Sequence, residues 1–432
     1  MRHLLLLCWL VASPPVVLAQ RPAAAISAAT VARVVTTLAA DDLQGRATGQ
    51  PGNQRAAEFL AAEFRRIGLL PLPGTTSLLQ EFPALETTVT SLHVTLNGTP
   101  LPASQALVVT TQARLHWTSL DSVSVLVITS PQELDAHFDE LAEPTQNQLV
   151  LLAPASADRL AALAAELRGR RIRPAPSSYS CVVAVAPASP LTTCQVVATA
   201  TTRPLQLRNV VGYLPGHDPA RHTEYVLFSG HYDHLGILPP VAGDSIANGA
   251  NDDASGTTAV VALAEYFQRR HDNARPLLFA AFTAEEIGFY GSRYFAQHLD
   301  PRQLVAVFNM ELIGRVPPAG PRTAFITGYD KSDFGQLLQA SLRGSRFQFK
   351  PDPYPAFHLF YRADNLPFAR LGVPAHTIST DDPPTDTFYH TVHDELRTLD
   401  LPHLTAVIAA IAQSARGIVA GQQTPRRITG VN

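Results

Sequence analysis

The sequence predicts an α/β fold: a mixed, largely parallel central sheet flanked by helices, interrupted by an inserted β-rich accessory domain. Three observations predict it. After residue 205, short apolar runs alternate with amphipathic segments, as they do when strands and helices wind into a parallel sheet. The ends of those runs carry acidic and histidine residues. Between 73 and 204 the texture changes to Val, Thr, Pro and Ala, with β-like runs and no His, Asp and Glu gathered at ligand spacing.

The N-terminus is read first. Arg2 and His3 precede an apolar run from Leu4 to Val11, followed by Pro14, Pro15 and the small-residue stretch Val17-Leu18-Ala19. That is the layout of a secretory signal peptide over residues 1–19. The run is far shorter than the roughly 20 apolar residues of a membrane span. Export, to the periplasm or the medium, is therefore expected, with no membrane anchor.

Residues 20–72 read as the helical N-terminal part of the main domain. Ala56, Leu60, Phe64 and Ile67 recur at helical spacing, with Glu58, Glu63, Arg65 and Arg66 turned elsewhere, and Gly68 is the expected stop. Residues 73–204 read as the inserted accessory domain. Its β-like runs are Val123–Ile128, Gln148–Leu152 and Cys181–Val185, and an alanine-rich helix is expected near Ala155–Leu167. Scaffolding or substrate gating is its expected role. Cys8 leaves with the signal; an exported chain allows Cys181 and Cys194 to pair, and the sequence leaves that open.

Residues 205–425 read as the catalytic domain, with buried strands at Tyr225–Ser229, Pro276–Phe282, Val305–Met310 and Pro374–Ile378, and a helix over Thr257–Arg270. The net charge of −3 is close to neutral, so neither nucleic acid nor an anionic membrane surface is an expected partner.

The chemistry lies at the strand ends. Tyr225–Ser229 runs into Gly230-His231-Tyr232-Asp233-His234. Asp252 and Asp253 precede a helix. Pro276–Phe282 leads to Glu285-Glu286, Val305–Met310 to Glu311, and the last strand to Phe388-Tyr389-His390. Singly, each has a structural explanation: Asp252 as a helix cap, Glu285-Glu286 as a solvated first turn. Together they converge, because ligands of open α/β sheets bind beyond the carboxyl ends of the strands. Buried carboxylates repel one another and titrate neutral unless a cation neutralises them. Imidazole with carboxylate suits zinc, with manganese or cobalt tolerated. Five candidate ligands, His231, Asp252, Glu286, Glu311 and His390, exceed the three of a single catalytic zinc, which favours two ions sharing a carboxylate.

The stretches Gly230-His-Tyr-Asp-His-Leu-Gly236, Gly249-Ala-Asn-Asp-Asp-Ala-Ser-Gly256, Ala284-Glu-Glu-Ile-Gly288, Asn309-Met-Glu-Leu-Ile-Gly-Arg315 and Tyr389-His-Thr391 resemble the co-catalytic dizinc aminopeptidase family, whose members include bacterial leucyl aminopeptidases, aminopeptidase Y and, more distantly, glutamate carboxypeptidase. Leu43-Gln-Gly-Arg46, Asn209-Val-Val-Gly212 and Phe360-Tyr-Arg-Ala-Asp364 add to the likeness. The resemblance covers the first and third regions; in the middle region it is positional only, relatives often carrying a protease-associated domain there. It implies a zinc exopeptidase fold acting on peptide N-termini. By the same resemblance His231 and His390 bind different zinc ions, Asp252 bridges them, and Glu286 and Glu311 complete the two spheres. Glu285 resembles the general base, Asp233 the carboxylate that orients His231, and Asp252-Asp253 a peptide bond held in cis. The resemblance gives no substrate-binding residues.

The departures are specific. Glu311 stands where many relatives have Asp, Asn251 replaces a frequent Asp, and Ala363 and Asn365 replace Ser and His. Competing readings are a carboxypeptidase or dipeptidase, for which Arg315 or Arg362 would clamp a carboxylate, a single-zinc glutaminyl cyclase, which the full ligand set opposes, and a catalytically silent peptide-binding protein.

Overall fold

The computed structural model describes residues 25–169, 171–187 and 190–431; the expected export signal at 1–19 lies outside them. The apolar runs of the third region form strands at Tyr225–His231, Leu277–Phe282, Leu304–Met310 and Ala375–Ser379. These lie parallel, in the spatial order 375–379, 304–310, 225–231, 277–282. Thr323–Ile326 and Gln348–Pro351 extend one edge. On the other, Cys194–Leu214 pairs antiparallel with Leu277–Phe282, and Leu79–Leu96 pairs antiparallel with it in turn. The sheet is mixed, with a parallel centre.

Those central strands read as unbroken apolar runs because both faces are covered. Successive side chains point to opposite faces. Phe228 stacks between Phe279 and Phe308 at ring separations of 5.5 and 4.8 Å, and Phe267 of helix Gly256–Arg270 packs on it at 5.4 Å. Helices Ala28–Leu38, Pro51–Ile67 and Leu401–Val419 complete that layer. Leu227, Leu278 and Val307 face the other way, against Phe295 and Phe368 of helices Tyr290–Gln297 and Leu366–Arg370. A fully buried phenylalanine contributes roughly 1.5–3 kcal/mol, and truncating Phe228 at the centre of the first layer would cost about 3–5 kcal/mol.

Helix ends follow local chemistry. Ser27 caps Ala28–Leu38 by accepting the amide of Thr30 at 3.1 Å. Pro51 opens Pro51–Ile67, and Gly68 closes it at φ 91°, a left-handed position that glycine takes without penalty. Asp400 caps Leu401–Val419 through the amide of His403 at 2.8 Å. No helix among the described residues is long and apolar enough to cross a membrane.

The middle region is carried on a long two-stranded ribbon. Leu79–Leu96 and Cys194–Leu214 pair from Leu79↔Val210 out to Leu96↔Cys194, so the expected boundary at 204 falls inside a continuous strand. Beyond the ribbon sits a four-stranded sheet of Ala106–Val109, Cys181–Val185, Gln148–Leu152 and Ser124–Ile128. One face packs on the ribbon through Leu149, Leu151, Val182 and Ala184. Helices Pro131–Ala142 and Ala157–Gly169 cover the other. Cys181 and Cys194 are both free and buried. They belong to opposite faces of this unit, Cys194 in the ribbon-side core and Cys181 in the helix-side one, so the open pairing is answered against a disulfide.

Candidate metal centre

The chain changes direction across the sheet at strand Tyr225–His231. Helix Gly256–Arg270 carries it to 277–282 on one side, and helix Tyr290–Gln297 returns it to 304–310 on the other. A crevice opens at the carboxyl ends where connections diverge in this way. His231 ends the first strand; Glu285 and Glu286 follow the second; Glu311 follows the third.

Asp252 sits at the middle of the cluster. Its Oδ1 lies 3.2 Å from His231 Nε2, and its Oδ2 lies 3.2 Å from His390 Nε2. Glu286 Oε2 is 3.1 Å from the same His390 nitrogen, and Glu285 Oε2 is 3.9 Å from His231 Nε2. Among the described residues, two groups bring three potential ligand atoms within 4.8 Å of one another: His231 with Glu285 and Glu311, and His231 with Asp252 and Glu286. All five sequence-predicted ligands and the predicted base thus reach one crevice.

The loop bearing Asp252 is held from three sides. The Asp394 carboxylate accepts the amides of Asn251 and Asp252, each at 3.0 Å. Asp253 accepts the amides of His231, Gly256 and Leu312 at 3.0–3.2 Å. Asn251 Oδ1 accepts the Gly314 amide at 2.8 Å, which is the use this chain makes of asparagine there. The Asp252–Asp253 peptide bond is cis. Gly256 has no room for a side chain, since a Cβ would stand 2.1 Å from the Met310 carbonyl oxygen and 2.5 Å from Asp253. Arg46, fully buried, donates to the carbonyls of Leu38, Tyr232, Asn248 and Gly249 and ties the N-terminal segment to both ends of the site.

Asp233 meets His231 with two groups. The His231 Nδ1 nitrogen faces the main-chain carbonyl of Asp233 at 3.1 Å, and its carboxylate only at 3.7 Å. The chain turns directly after His231, which brings that carbonyl under the ring. The carboxylate is spent elsewhere: it accepts the Glu285 amide at 3.2 Å and the Thr48 hydroxyl at 2.8 Å, so Asp233 positions the base as well as the imidazole.

His234 and Asp394 were not anticipated as members of the site. His234 is buried, with Nδ1 2.6 Å from Glu286 Oε1, so each Glu286 oxygen faces a different imidazole. It stands inside the His231 stretch, three residues on, and that proximity was the available signal. Asp394 lies four residues after His390. Glu311 is steadied by Asn309 Nδ2 at 3.3 Å, and the same amide donates to Thr377, whose hydroxyl donates to Asn365 Oδ1 at 2.9 Å. Asn365, one of the departures, therefore acts through this chain of hydrogen bonds rather than in the crevice.

Charge decides what the cluster can hold. Burial first, and then repulsion from neighbouring carboxylates, pushes Glu285 and Glu311 well above the usual carboxylate range. Asp252, despite burial, is held well below it by His231 and His390. Burial opposes charge on His390, yet Glu286 and Asp252 hold it up at about 10. Carboxylates outnumber imidazoles, and the fully buried His231 Nε2 has no hydrogen-bond partner among the described residues. Nitrogen and carboxylate donors converging on an excess of negative charge fit divalent zinc.

Residues 209–415 match the model of Peptidase family M28. The chain is 23% identical over 224 residues to Aminopeptidase YwaD of Bacillus subtilis, covering 48% of this chain and 44% of that protein. It is 38% identical over 123 residues to a probable zinc metalloprotease of Pyricularia oryzae, covering 28% of this chain and 24% of that protein. The matches thus span less than half the length of these curated relatives. Among solved structures, the aminopeptidase from Aneurinibacillus sp. strain AM-1 superposes with a TM-score of 0.58 at 16% identity, covering 94% of this chain and 96% of that one. BSAP, a zinc aminopeptidase from Bacillus subtilis, does so with a TM-score of 0.57 at 14% identity, covering 95% and 100%. At such identities the likeness is one of fold, and it is the mixed α/β zinc exopeptidase fold.

Proposed function

We propose, from the match of residues 209–415 to the model of Peptidase family M28, that this chain is an exported, zinc-dependent aminopeptidase removing N-terminal residues from peptides. The observation that carries the reading is the placement of Asp252, with one oxygen toward His231 and the other toward His390 at equal distance. A carboxylate so aimed is suited to lie between two ions. His231 and Glu311 would hold one zinc, His390 and Glu286 the other, with Asp252 shared; manganese or cobalt would be tolerated. When bound, such ions acidify a water, polarise the scissile carbonyl and take the free α-amino group of the substrate.

The chain's own residues supply the rest. Glu285 takes the proton from water as the new carbon–oxygen bond forms, and gives it to the leaving amine as the carbon–nitrogen bond breaks. Burial, first among its causes, raises the proton affinity of Glu285, which favours its taking that proton, and a positioned base contributes about 10²–10⁴-fold. Asp233 holds the Glu285 amide so that base and His231 keep a fixed relation.

The test is a panel of aminoacyl-p-nitroanilides beside their N-acetylated forms, with chelator and with zinc restored, together with metal analysis. Chelator-sensitive cleavage of free-amine substrates alone, at two zinc ions per chain, is expected. Cleavage of N-blocked peptides from the C-terminal end would replace the reading with a carboxypeptidase. For that alternative, Arg315 is already paired with Asp386 and Asp394, leaving the exposed Arg362 as the candidate clamp. Metal bound without any cleavage would point to a peptide-binding protein.

A further inference from the structure

Beside Glu311 lies a cavity of about 240 Å³. Pockets that enclose a whole small-molecule ligand run to about 300–1,000 Å³, so this one has the size for a single side chain. Phe325, Phe357, Leu359 and Pro383 give it apolar walls, and Arg362 and Asp381 are its charged lining besides Glu311 and Asp386.

Those charges are not equivalent. Asp386 is satisfied: Arg315 pairs with it at 2.9 Å, and it accepts the amides of Phe388 and Tyr389 at 2.7 and 3.2 Å. Arg362 is exposed, and an ion pair made in open solvent is worth little. Asp381 is 8% exposed and forms no ion pair with a cation among the described residues; the hydroxyl of Tyr354 goes to its neighbour Asp382 instead. A carboxylate in an apolar cavity gains most from a cation that comes with its own hydrogen bonds. Burial, followed by repulsion from and a hydrogen bond with the Asp386 carboxylate, pushes Asp381 up to about 7, so a cation entering the cavity beside this carboxyl pair would take the place of the proton they share.

We propose that this cavity receives the first side chain of the substrate and selects lysine and arginine, their stems lying on the apolar walls and their cationic tips pairing with Asp381. The inference rests on the aminopeptidase reading, and its test separates the two. Zinc-loaded protein is titrated calorimetrically with L-lysinamide and with L-norleucinamide, its uncharged analogue, and kcat/KM is measured for the lysyl, arginyl, norleucyl and glutamyl p-nitroanilides. The expected result is binding and turnover favouring the basic members by about tenfold to a hundredfold, the worth of a buried charge-assisted hydrogen bond, with Asp381→Asn reducing the preference to within about twofold. Equal or better binding of norleucinamide by the unaltered protein would overturn the assignment even where Asp381→Asn does not fold. A preference unchanged in a folded Asp381→Asn would overturn it too. Selective binding of lysinamide with no p-nitroanilide cleaved would uphold the cavity and overturn the aminopeptidase reading.

Discussion

Asp394 accepts the main-chain amide of Asp252 at 3.0 Å, so a residue four positions after His390 holds the loop that presents the shared carboxylate. Asp394→Ala removes the acceptor of two buried amides and leaves Arg315 without one of its carboxylates. Each orphaned amide costs about 1–3 kcal/mol. The variant should lose about 2–5 kcal/mol in urea unfolding and bind zinc about 10–100-fold more weakly in competition with a chelator. Unchanged zinc affinity would detach Asp394 from the metal loop.

Glu285→Gln keeps the size and hydrogen-bonding of the side chain but cannot take a proton. Zinc content should match the parent protein while kcat falls by about 10²–10⁴. Lost metal with residual activity would show that Glu285 is a ligand rather than the base.

His234 fixes one oxygen of Glu286 and leaves the other toward His390. His234→Ala should weaken zinc binding by about 10–100-fold and do so for one ion before the other, giving a two-step release in a chelator titration. Simultaneous release at the parental chelator concentration would argue that the imidazole only fills space.

His376 is buried in the sheet, with Nδ1 2.8 Å from the Thr327 carbonyl oxygen and Nε2 2.7 Å from the Ser332 hydroxyl. Burial lowers it to about 4, against about 6.5 in the unfolded chain. Its folded value is depressed, so its contribution is complete above pH about 6.5 and is lost as pH falls toward about 4, up to about 3 kcal/mol. His376→Gln should flatten the loss of urea stability between those limits. An identical slope in parent and variant would remove His376 from the acid sensitivity.

Burial pushes Cys181 up to about 12 and raises Cys194 as well. A thiol attacks only as thiolate, so in the native protein neither should react with an aromatic disulfide reagent at pH 8, and both should react in guanidinium. Prompt native reaction would mean that the insert opens.

The site was legible because strand ends converge by topology: His231, Glu285, Glu286 and Glu311 needed only the alternation of apolar runs to be placed together. What the sequence could not reveal was which atoms face each other. Asp233 was expected to present its carboxylate to His231, and its carbonyl stands nearer, at 3.1 Å against 3.7 Å, a matter of one peptide's orientation. Arg46 lay in a quoted motif, but its partners are main-chain carbonyls from segments about 190–200 residues apart in sequence, and carbonyls carry no residue signature. Helix Pro131–Ala142 went unforeseen although its start was written out. Ser130 Oγ accepts the Glu133 amide at 3.2 Å and Glu133 accepts that of Ser130 at 3.3 Å, a reciprocal capping box.

The insert leaves and rejoins the main sheet through partners in register, Leu79 opposite Val210 and Thr87 opposite Thr202. Contacts such as that of Glu143 with Arg293 of helix Tyr290–Gln297 at 3.0 Å aside, the main sheet meets everything beyond that pairing as it would a hairpin turn: the two strands arrive side by side whatever lies at the far end. The entropy of joining them grows only slowly with the length interposed. Such an attachment point is open to exchange over generations, because lengthening, shortening or replacing the far unit leaves strand order, crevice and ligand spacing as they were.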